Sequence, residues 1–316
     1  MKIILEAIVE ADCCPNAYGY RPTRSPHQAV AEGRRSLLRR MCKGIDVDLA
    51  AFFDSIRPHI VLAKMARRGQ DDQVLALVKQ IRTATGAMGV PQGGPCSPLA
   101  ANLSLNALDW GFEQWRQHTA DGPYDSRNDH RCADDLIILV SHHGSKPWME
   151  PWVQEPLHQH LATLQVQVKA DKTPVVNTLQ GEACSCLGFD VRRVVNRRQQ
   201  PSMLLTPRKT ARLALKAEVR KMVRESGAPP VPAMIQRLTP VVAGWVHDCR
   251  VANSPRAFGE VRDDVAMKVR TRLSRRKRRQ KRSIGWKRWS HEDLNGVLGR
   301  YGDWQLQPLK NAVAYR

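Results

Sequence analysis

Two adjacent acidic residues directly before an apolar run constrain this chain more than any other feature. Cys132-Ala133-Asp134-Asp135 precedes Leu136-Ile137-Ile138-Leu139-Val140. The apolar run predicts a buried strand, and carboxylates at the end of a buried strand are unfavourable unless a cation neutralises them. A hard divalent metal ion suits carboxylate oxygens. Alone, such an acidic pair is more often a helix cap or a solvated turn, so the rest of the chain must supply matching residues.

A third carboxylate occurs in a similar context. Asp48 lies in the stretch Ile45–Phe53, which predicts a strand entering a turn. Asp46, two residues earlier on the same face of that strand, is an auxiliary candidate. Between the two acidic segments, Gly89–Leu99 contains three prolines and the pair Gly93-Gly94, which predict a loop. Glycines in such a loop let its backbone approach a nucleotide closely and expose its amides.

In this order the three segments resemble motifs A, B and C of a reverse transcriptase palm. The residues of these motifs are most similar to those of the group II intron-encoded reverse transcriptase/maturase family. The resemblance implies an α+β fold: a right-handed-palm polymerase core with partial fingers over residues 1–200, and a basic all-α thumb/maturase domain over 201–316. It also implies an RNA-directed DNA polymerase activity. The chain begins just before the block Tyr18–Ser25, so the first fingers blocks are expected to be missing, and no endonuclease domain is expected.

Nucleotidyl transfer depends on aligning the attacking hydroxyl with the phosphate and on stabilising charge, which two metal ions sharing carboxylates can do. The resemblance assigns the metal ligands and catalytic acids to Asp48, Asp134 and Asp135, with the Leu49 carbonyl as a further ligand. Two Mg²⁺ ions are expected, with Mn²⁺ as a substitute. Lys172, in a segment resembling motif D, is a candidate proton donor to the leaving pyrophosphate; the alternative is an ordinary surface lysine.

The resemblance also implies contacts to nucleotide and template. Phe53 corresponds to the ring that excludes a ribose 2′-hydroxyl, the alternative being that Phe52 and Phe53 both belong to the core. Asp54 is expected to cap the helix that follows. Cys132 stands where the family has tyrosine, which would loosen contact with the primer end. The remaining candidate contacts are Pro91, Gln92, Gly93, Gly94, Arg21 and Arg24.

Positive charge is concentrated at one end of the chain. The formal net charge is +20, and residues 201–316 hold 26 Lys and Arg against 9 Asp and Glu, whereas residues 1–200 hold 24 against 21. Such an excess suggests a polyanionic partner, and Leu238–Ser254 resembles the maturase region. RNA is therefore expected to bind here, with a solvated basic face as the alternative. The strongest basic run is Arg275, Arg276, Lys277, Arg278 and Arg279.

The expected partners are an RNA template, intron RNA, a DNA primer or target and deoxynucleoside triphosphates; the oligomeric state stays open. The eight cysteines have no disulfide-framework or CxxC spacing, and apolar stretches are too short for a membrane span, so a cytoplasmic setting is expected. One rival reading is a polymerase-deficient maturase that binds RNA during splicing. The other is a defence-associated or domesticated reverse transcriptase that needs no intron.

The periodicity of apolar residues predicts the helices and strands in which these motifs lie. Helices are expected over residues 1–12, 28–41, 100–115 and 157–164, after Pro58, and after a cap at Asp71-Asp72. Strands are expected over 166–168, 174–176 and 186–191, and residues 121–130 are expected to form a polar loop. Residues 201–207 are expected to be a domain boundary, followed by helices only.

Overall fold

The structure is a computed structural model, and it divides the chain into two compact units. Met1–Leu187 with Val191–Met203 forms the first, and Gly188–Asp190 with Leu204–Arg316 forms the second. The domain limits drawn from the sequence stay predictions. The described residues are 2–39, 41–68, 73, 76, 89–91, 93–119, 127–141, 149–166, 168, 175–196, 198–225, 231–276, 294 and 303–304.

An antiparallel sheet organises the first unit. Its strands are β1 (Lys43–Asp48), β2 (Arg127–Cys132), β3 (Asp135–Val140) and β4 (Val175–Asn177), in the spatial order β2-β3-β1-β4. The buried β3 is central because every residue after Asp135 is apolar. Its register against β1 pairs Lys43 with Val140 at one end and Asp48 with Asp135 at the other. The hairpin that the acidic pair predicts is confirmed.

One face of this sheet packs on helices. The helices of the first unit are α1 (Lys2–Asp12), α2 (Pro26–Leu38), α3 (Phe52–Ser55), α4 (Pro58–Ala66), α5 (Ser97–Thr119) and α6 (Met149–Thr163) within the described residues. Alternate residues of β1 and β3 enter one apolar core with the inward faces of α5 and α6. Core members from these four elements are Ile45, Val47, Leu136, Ile138, Val140, Leu103, Leu105, Leu108, Phe112, Leu157 and Leu161.

Strand β5 (Cys184–Cys186) and helix α2 pack on the opposite side of the sheet, where glycines permit close approach. A Cβ on Gly44 of β1 would lie 2.5 Å from the Cys184 sulfur, so only glycine leaves room for β5 there. A Cβ on Gly33 of α2 would make ordinary contacts with His130, at 3.8 Å, and Cys186, at 3.9 Å. Helix α2 starts with a capping box between Ser25 and Gln28.

Strand β2 lies at the edge of the sheet, and an N-terminal segment covers it. The Tyr18 amide donates to the Arg131 carbonyl (2.8 Å), and the Arg131 amide donates to the Asn16 carbonyl (3.1 Å). Ala17 thereby forms a parallel bridge with Arg131. These bonds satisfy backbone groups that an open edge would leave available to another chain.

A second sheet joins β5, β6 (Phe189–Val195) and β7 (Pro201–Pro207) in that order. The described helices of the second unit are α7 (Lys209–Glu225), α8 (Val231–Cys249) and α9 (Pro255–Arg276). The rings of Trp245 and Phe258 join α8 to α9 with centroids 5.3 Å apart. Arg212 and Lys216 of α7 both bind the Glu260 carboxylate of α9. The helices expected after residue 207 are confirmed within the described part of the second unit, where they pack on one another.

Several sequence expectations need correction. Residues 127–130 belong to strand β2 rather than a loop, because pairing with β3 outweighs the low strand propensity of a polar stretch. Residues 201–207 form β7, whose buried residues alternate while its prolines stand at the ends of an edge strand. The single strand expected over 186–191 is two strands with a turn at Leu187-Gly188. Val168 makes only an isolated bridge to Leu49.

The region after Asp48 also differs from its prediction. The strand ends at Asp48, and Phe52 and Phe53 lie in the short helix α3, so strand alternation does not decide which ring is buried. Asp54 lies inside α3; Arg57 occupies the N-cap of α4, and no side chain caps it. The cap and helix predicted from Asp71-Asp72 lie outside the described residues, apart from two isolated helical positions. Within the described residues, no helix is long and apolar enough to cross a bilayer.

Candidate catalytic site

The sheet register brings the predicted acids together. Asp48 ends β1 directly opposite Asp135, the first residue of β3. Directly opposed residues of neighbouring antiparallel strands lie side by side in the sheet. Asp134 lies in the two-residue turn between β2 and β3 and is half-buried, while Asp135 is exposed. The backbone therefore groups three acidic residues at one end of the sheet.

The turn itself has an unusual backbone. Ala133, the residue before Asp134, has a positive φ of 62°. A residue with a Cβ is disfavoured in this region, at a cost on the order of 1–2 kcal/mol. Ala133 is nevertheless buried, so surrounding contacts must hold the turn in this conformation.

The donor set fits a hard divalent cation. Asp48, Asp134 and Asp135 offer carboxylate oxygens, and Leu49, the next residue after Asp48, offers a backbone carbonyl; Mg²⁺ prefers such oxygen donors. Leu49 itself is buried and bridges to Val168. Within the described residues no ready-formed cluster of three His, Cys, Asp or Glu groups occurs. The fit therefore rests on backbone placement and on donor chemistry, and the ligand set stays a prediction.

The Phe53 ring contacts two other aromatic rings. Phe52 is buried in the core, whereas Phe53 is half-buried. The Phe53 ring makes edge contacts with Phe52, at 5.8 Å, and with Tyr20, at 6.5 Å between centroids. Burial first, and then the charge of Asp134, raise the pKa of the Tyr20 hydroxyl. Tyr20 is therefore an aromatic neighbour of the acidic turn that was not singled out by sequence.

The glycine-rich loop is attached to the same region. The Val90 amide donates to the Phe53 carbonyl (2.9 Å), and the Ser97 hydroxyl donates to the Pro91 carbonyl (2.6 Å). Gly93 has a positive φ of 86° and is exposed, with no atom within 4 Å of where a Cβ would stand. Its open side leaves room for a ligand backbone or base. Gln92 lies outside the described residues.

The two arginines of the Tyr18–Ser25 block have different roles. Arg21 has 7% of its side-chain surface exposed and binds the Glu10 carboxylate, at 2.8 Å from Nη2. It also donates to the carbonyls of Cys14 and Ala17. The prediction that Arg21 faces nucleic acid is therefore wrong, since its guanidinium ties together the N-terminal segment. Arg24 lies over the Tyr18 ring at 5.4 Å and stays a candidate contact.

The remaining predicted residues are Lys172 and the basic run at residues 275–279. Arg275 and Arg276 lie in the last turn of α9. Outside the described residues lie Lys172, Lys277, Arg278 and Arg279. Their roles stay predictions.

A buried histidine borders the acidic group. His130 of β2 is 1% exposed, and within the described residues neither ring nitrogen has a hydrogen-bond partner. Burial lowers its pKa to about 3, so the ring is neutral in the folded protein. It lies in a narrow cleft together with Asp46, Asp135 and Cys186.

Cys132, the last residue of β2, has a thiol whose pKa is raised by its surroundings. Burial, and next the charge of Asp135, raise the pKa of its thiol to about 11. The side chain is therefore an uncharged thiol at neutral pH.

Helix α5 supplies polar residues that sequence analysis missed. Asn102, Asn106, Asp109 and Glu113 are spaced four, three and four residues apart and are buried. Asn106 accepts a bond from the Cys14 amide (3.2 Å), and Asp109 pairs with Arg131. The available signal was a polar stripe at helical spacing within an otherwise apolar helix.

Comparisons with known proteins agree with this geometry. The family described as "Reverse transcriptase (RNA-dependent DNA polymerase)" matches residues 1–191, and "Group II intron, maturase-specific domain" matches residues 212–302. The chain belongs to the group II intron reverse transcriptase/maturase family. The recognition drawn from motifs A to C is thereby confirmed. Members of the reverse transcriptase family generally use divalent metal ions.

Among curated relatives, "Protein YkfC" of Escherichia coli is 25% identical over 217 residues, covering 57% of this chain and 56% of that protein. "Uncharacterized 91 kDa protein in cob intron" of Schizosaccharomyces pombe is 32% identical over 122 residues, covering 34% of this chain and 14% of that protein. An apo telomerase structure from Candida tropicalis superposes with a TM-score of 0.50 at 11% identity, covering 86% of this chain and 49% of the telomerase.

The telomerase likeness concerns the fold, and the expected palm-type polymerase fold is confirmed. The chain spans about half the length of the Escherichia coli relative and of the telomerase.

Proposed function

We propose that this reverse transcriptase-family chain copies RNA into DNA at the acidic end of its first sheet and binds intron RNA through residues 201–316. The observation that supports the polymerase part is the register that sets Asp48 opposite Asp135, with Asp134 in the adjoining turn. Acidic residues from two neighbouring strands and their turn are suited to holding the two metal ions of nucleotidyl transfer.

In the proposed reaction, a primer 3′-hydroxyl oxygen forms a bond to the α-phosphorus of a deoxynucleoside triphosphate, and the bond to pyrophosphate breaks. Two Mg²⁺ ions, when bound, would stabilise the charge on the attacking and leaving oxygens. Asp48, Asp134, Asp135 and the Leu49 carbonyl would hold them. The hydroxyl proton leaves to solvent, and Lys172 is proposed to donate a proton to pyrophosphate.

Selection of the deoxyribose is assigned to Phe53. Phe53 packs its ring against Phe52 and Tyr20. A ring held in this way can occupy the space of a 2′-hydroxyl without losing much side-chain freedom. The adjacent loop through Pro91, Gly93 and Gly94 would carry Gln92 to the nucleotide or template base, and Arg24 would contact the nucleic acid backbone.

RNA binding by the second unit rests on its charge. Residues 201–316 carry a net charge of +17. Arginine-rich helices bind RNA phosphates largely by shape and charge rather than by sequence. Arg275–Arg279 is assigned to this contact.

Primer extension by the full chain on an RNA template tests the polymerase site. Asp134→Asn keeps the side-chain shape but removes its charge, and we expect at least about a 10²-fold loss of extension rate. Glu155→Gln on α6 is the matched control because Glu155 is exposed and its carboxylate accepts a hydrogen bond from Gln159 on the same helix. Equal extension by wild type and Asp134→Asn would show that the polymerase site is wrongly placed.

RNA affinity measured in parallel distinguishes an active polymerase from the rival hypothesis, a polymerase-deficient maturase. A chain that binds structured RNA tightly but extends no primer with either Mg²⁺ or Mn²⁺ is a polymerase-deficient maturase. In that case the charge argument for residues 201–316 stands, and the catalytic assignment of the three acids fails.

A further inference from the structure

A buried ion pair stands directly behind the acidic turn. Arg131 of β2 and Asp109 of α5 are each 1% exposed. The Arg131 guanidinium donates from Nε and Nη2 to the Asp109 carboxylate, at 2.8 and 2.6 Å. Burial alone would lower the pKa of Arg131, but the charge and hydrogen bonds of Asp109 outweigh it and the pKa is raised. The side chain therefore stays charged inside the unit.

Overall stability is a weak reason for such a pair. Desolvating two charges cancels much of their attraction, and an apolar pair of similar volume often stabilises a core equally well. A buried ion pair is better explained by conformational specificity, where its directional hydrogen bonds fix one geometry. The remaining contacts of the guanidinium show which geometry that is.

The third nitrogen of Arg131 binds the turn itself. Nη1 donates to the Ala133 carbonyl (2.9 Å) and to the Asn102 side-chain oxygen (3.2 Å). Ala133 is the residue with the positive φ, immediately before Asp134. The guanidinium thus links the long helix α5 to the strained peptide that orients the two acids.

Gly19 lies against the backbone of the same turn. A Cβ on Gly19 would overlap the Ala133 nitrogen and come within 2.9 Å of the Cys132 carbonyl carbon. Asn102 donates from its amide to the Gly19 carbonyl (2.9 Å), so the same residue contacts both Gly19 and Arg131. The close Gly19 backbone and the Arg131 guanidinium together restrict the turn.

We propose that Arg131 is a positioning residue that, anchored by Asp109 and Asn102, holds the Ala133-Asp134 turn in the conformation that directs Asp134 and Asp135 to the metal ions. The inference rests on the proposed function for its catalytic consequence, but the restraint on the turn can be measured without catalysis. Lysine cannot replace Arg131 here, because a single ammonium lacks the planar fork that binds a carboxylate and a carbonyl simultaneously.

Two variants of the full chain test the restraint from its two sides. Arg131→Lys keeps the charge but loses the fork. Gly19→Ala leaves every buried charge paired and displaces the turn sterically. Gly33→Ala is the matched control, since its Cβ would make only ordinary contacts in the same unit. Hydrogen exchange of a peptide spanning the turn, with urea unfolding for global stability, gives the first readout.

Binding of Mn²⁺ alone, followed by electron paramagnetic resonance, gives the second readout. We expect both test variants to exchange the turn amides about tenfold faster than the control, corresponding to a local opening free energy lower by about 1.4 kcal/mol. We also expect Mn²⁺ to bind about tenfold more weakly, while exchange in α5 stays unchanged. A purely structural role would change global stability and exchange everywhere.

The outcomes are separable. If Gly19→Ala matches Gly33→Ala in both turn exchange and Mn²⁺ binding, the positioning role is refuted, even where Arg131→Lys fails to fold. Faster turn exchange with unchanged Mn²⁺ binding refutes it also. If Asp134→Asn binds Mn²⁺ as wild type does and extends primers equally well, the proposed catalytic site fails, whatever the exchange data show.

Discussion

Acidification should destabilise this protein through one buried imidazole. His130 packs edge-on against the Tyr18 ring at 6.0 Å between centroids and faces α2 through Gly33. Its folded-state pKa is about 3, against 6.5 for an unperturbed histidine. In the unfolded chain the ring binds a proton as the pH falls below 6.5, whereas in the folded protein it stays neutral. The unfolded state therefore binds more protons, and the free energy of unfolding decreases as the pH is lowered from about 6.5 to about 3.

The size of the effect follows from proton linkage. Each pH unit well below 6.5 costs about 1.4 kcal/mol per histidine kept neutral in the fold. At pH 5 the loss is about 2 kcal/mol relative to pH 8, and below about pH 3 it levels off as the folded protein also binds the proton. A loss of this size is a large fraction of the 5–15 kcal/mol that stabilises most proteins.

Urea unfolding at pH 8, 6 and 5 tests this expectation, with the wild type compared against His130→Phe. The phenyl ring keeps the aromatic contact and removes the titrating group, so the acid loss should shrink by about 2 kcal/mol at pH 5. His59→Gln on α4 is the control, since that ring is exposed. The argument fails if His130→Phe and wild type lose stability in parallel between pH 8 and pH 5.

Three further outcomes are expected. Phe53→Ala should reduce discrimination against ribonucleotides about tenfold or more, which corresponds to about 1.4 kcal/mol. If the incorporation ratio of matched deoxy- and ribonucleotides is unchanged, the Phe53 ring serves only in packing. Asp109→Ala should lower the unfolding free energy by about 3–5 kcal/mol, because it leaves the Arg131 guanidinium buried and unpaired; urea titration measures it, and a loss below about 1 kcal/mol contradicts it. Neutralising the four arginines of Arg275–Arg279 should weaken RNA binding and make it less dependent on salt. Each phosphate contact contributes about −0.9 to the slope of log K against log salt concentration on duplex DNA, and a similarly steep term is expected on RNA. If affinity and slope are unchanged over a salt series, the basic run is a solvated face.

The sequence by itself determined the parts that depend on local pattern. Asp134-Asp135 before an apolar run predicts a hairpin at a buried strand, because alternation and hydrophobicity act over a few residues. The order of the three motifs was sufficient for the family, and the helical spacing of Met234, Leu238, Val241 and Trp245 predicts α8. Net charge is a sum over the chain and needs no structure at all.

Tertiary structure alone decided which residues meet. Strand β2 forms from a polar stretch because β3 supplies its hydrogen bonds, and Arg21 turns inward because Glu10 lies beside it, 11 residues away in sequence. Asp48 lies opposite Asp135 only through the register of β1 on β3, and Arg131 binds Asp109, 22 residues away in sequence. Contacts of this kind depend on how elements pack, which no local window of sequence contains. The acids could therefore be named from the sequence, whereas the restraint on their turn became visible only in the fold.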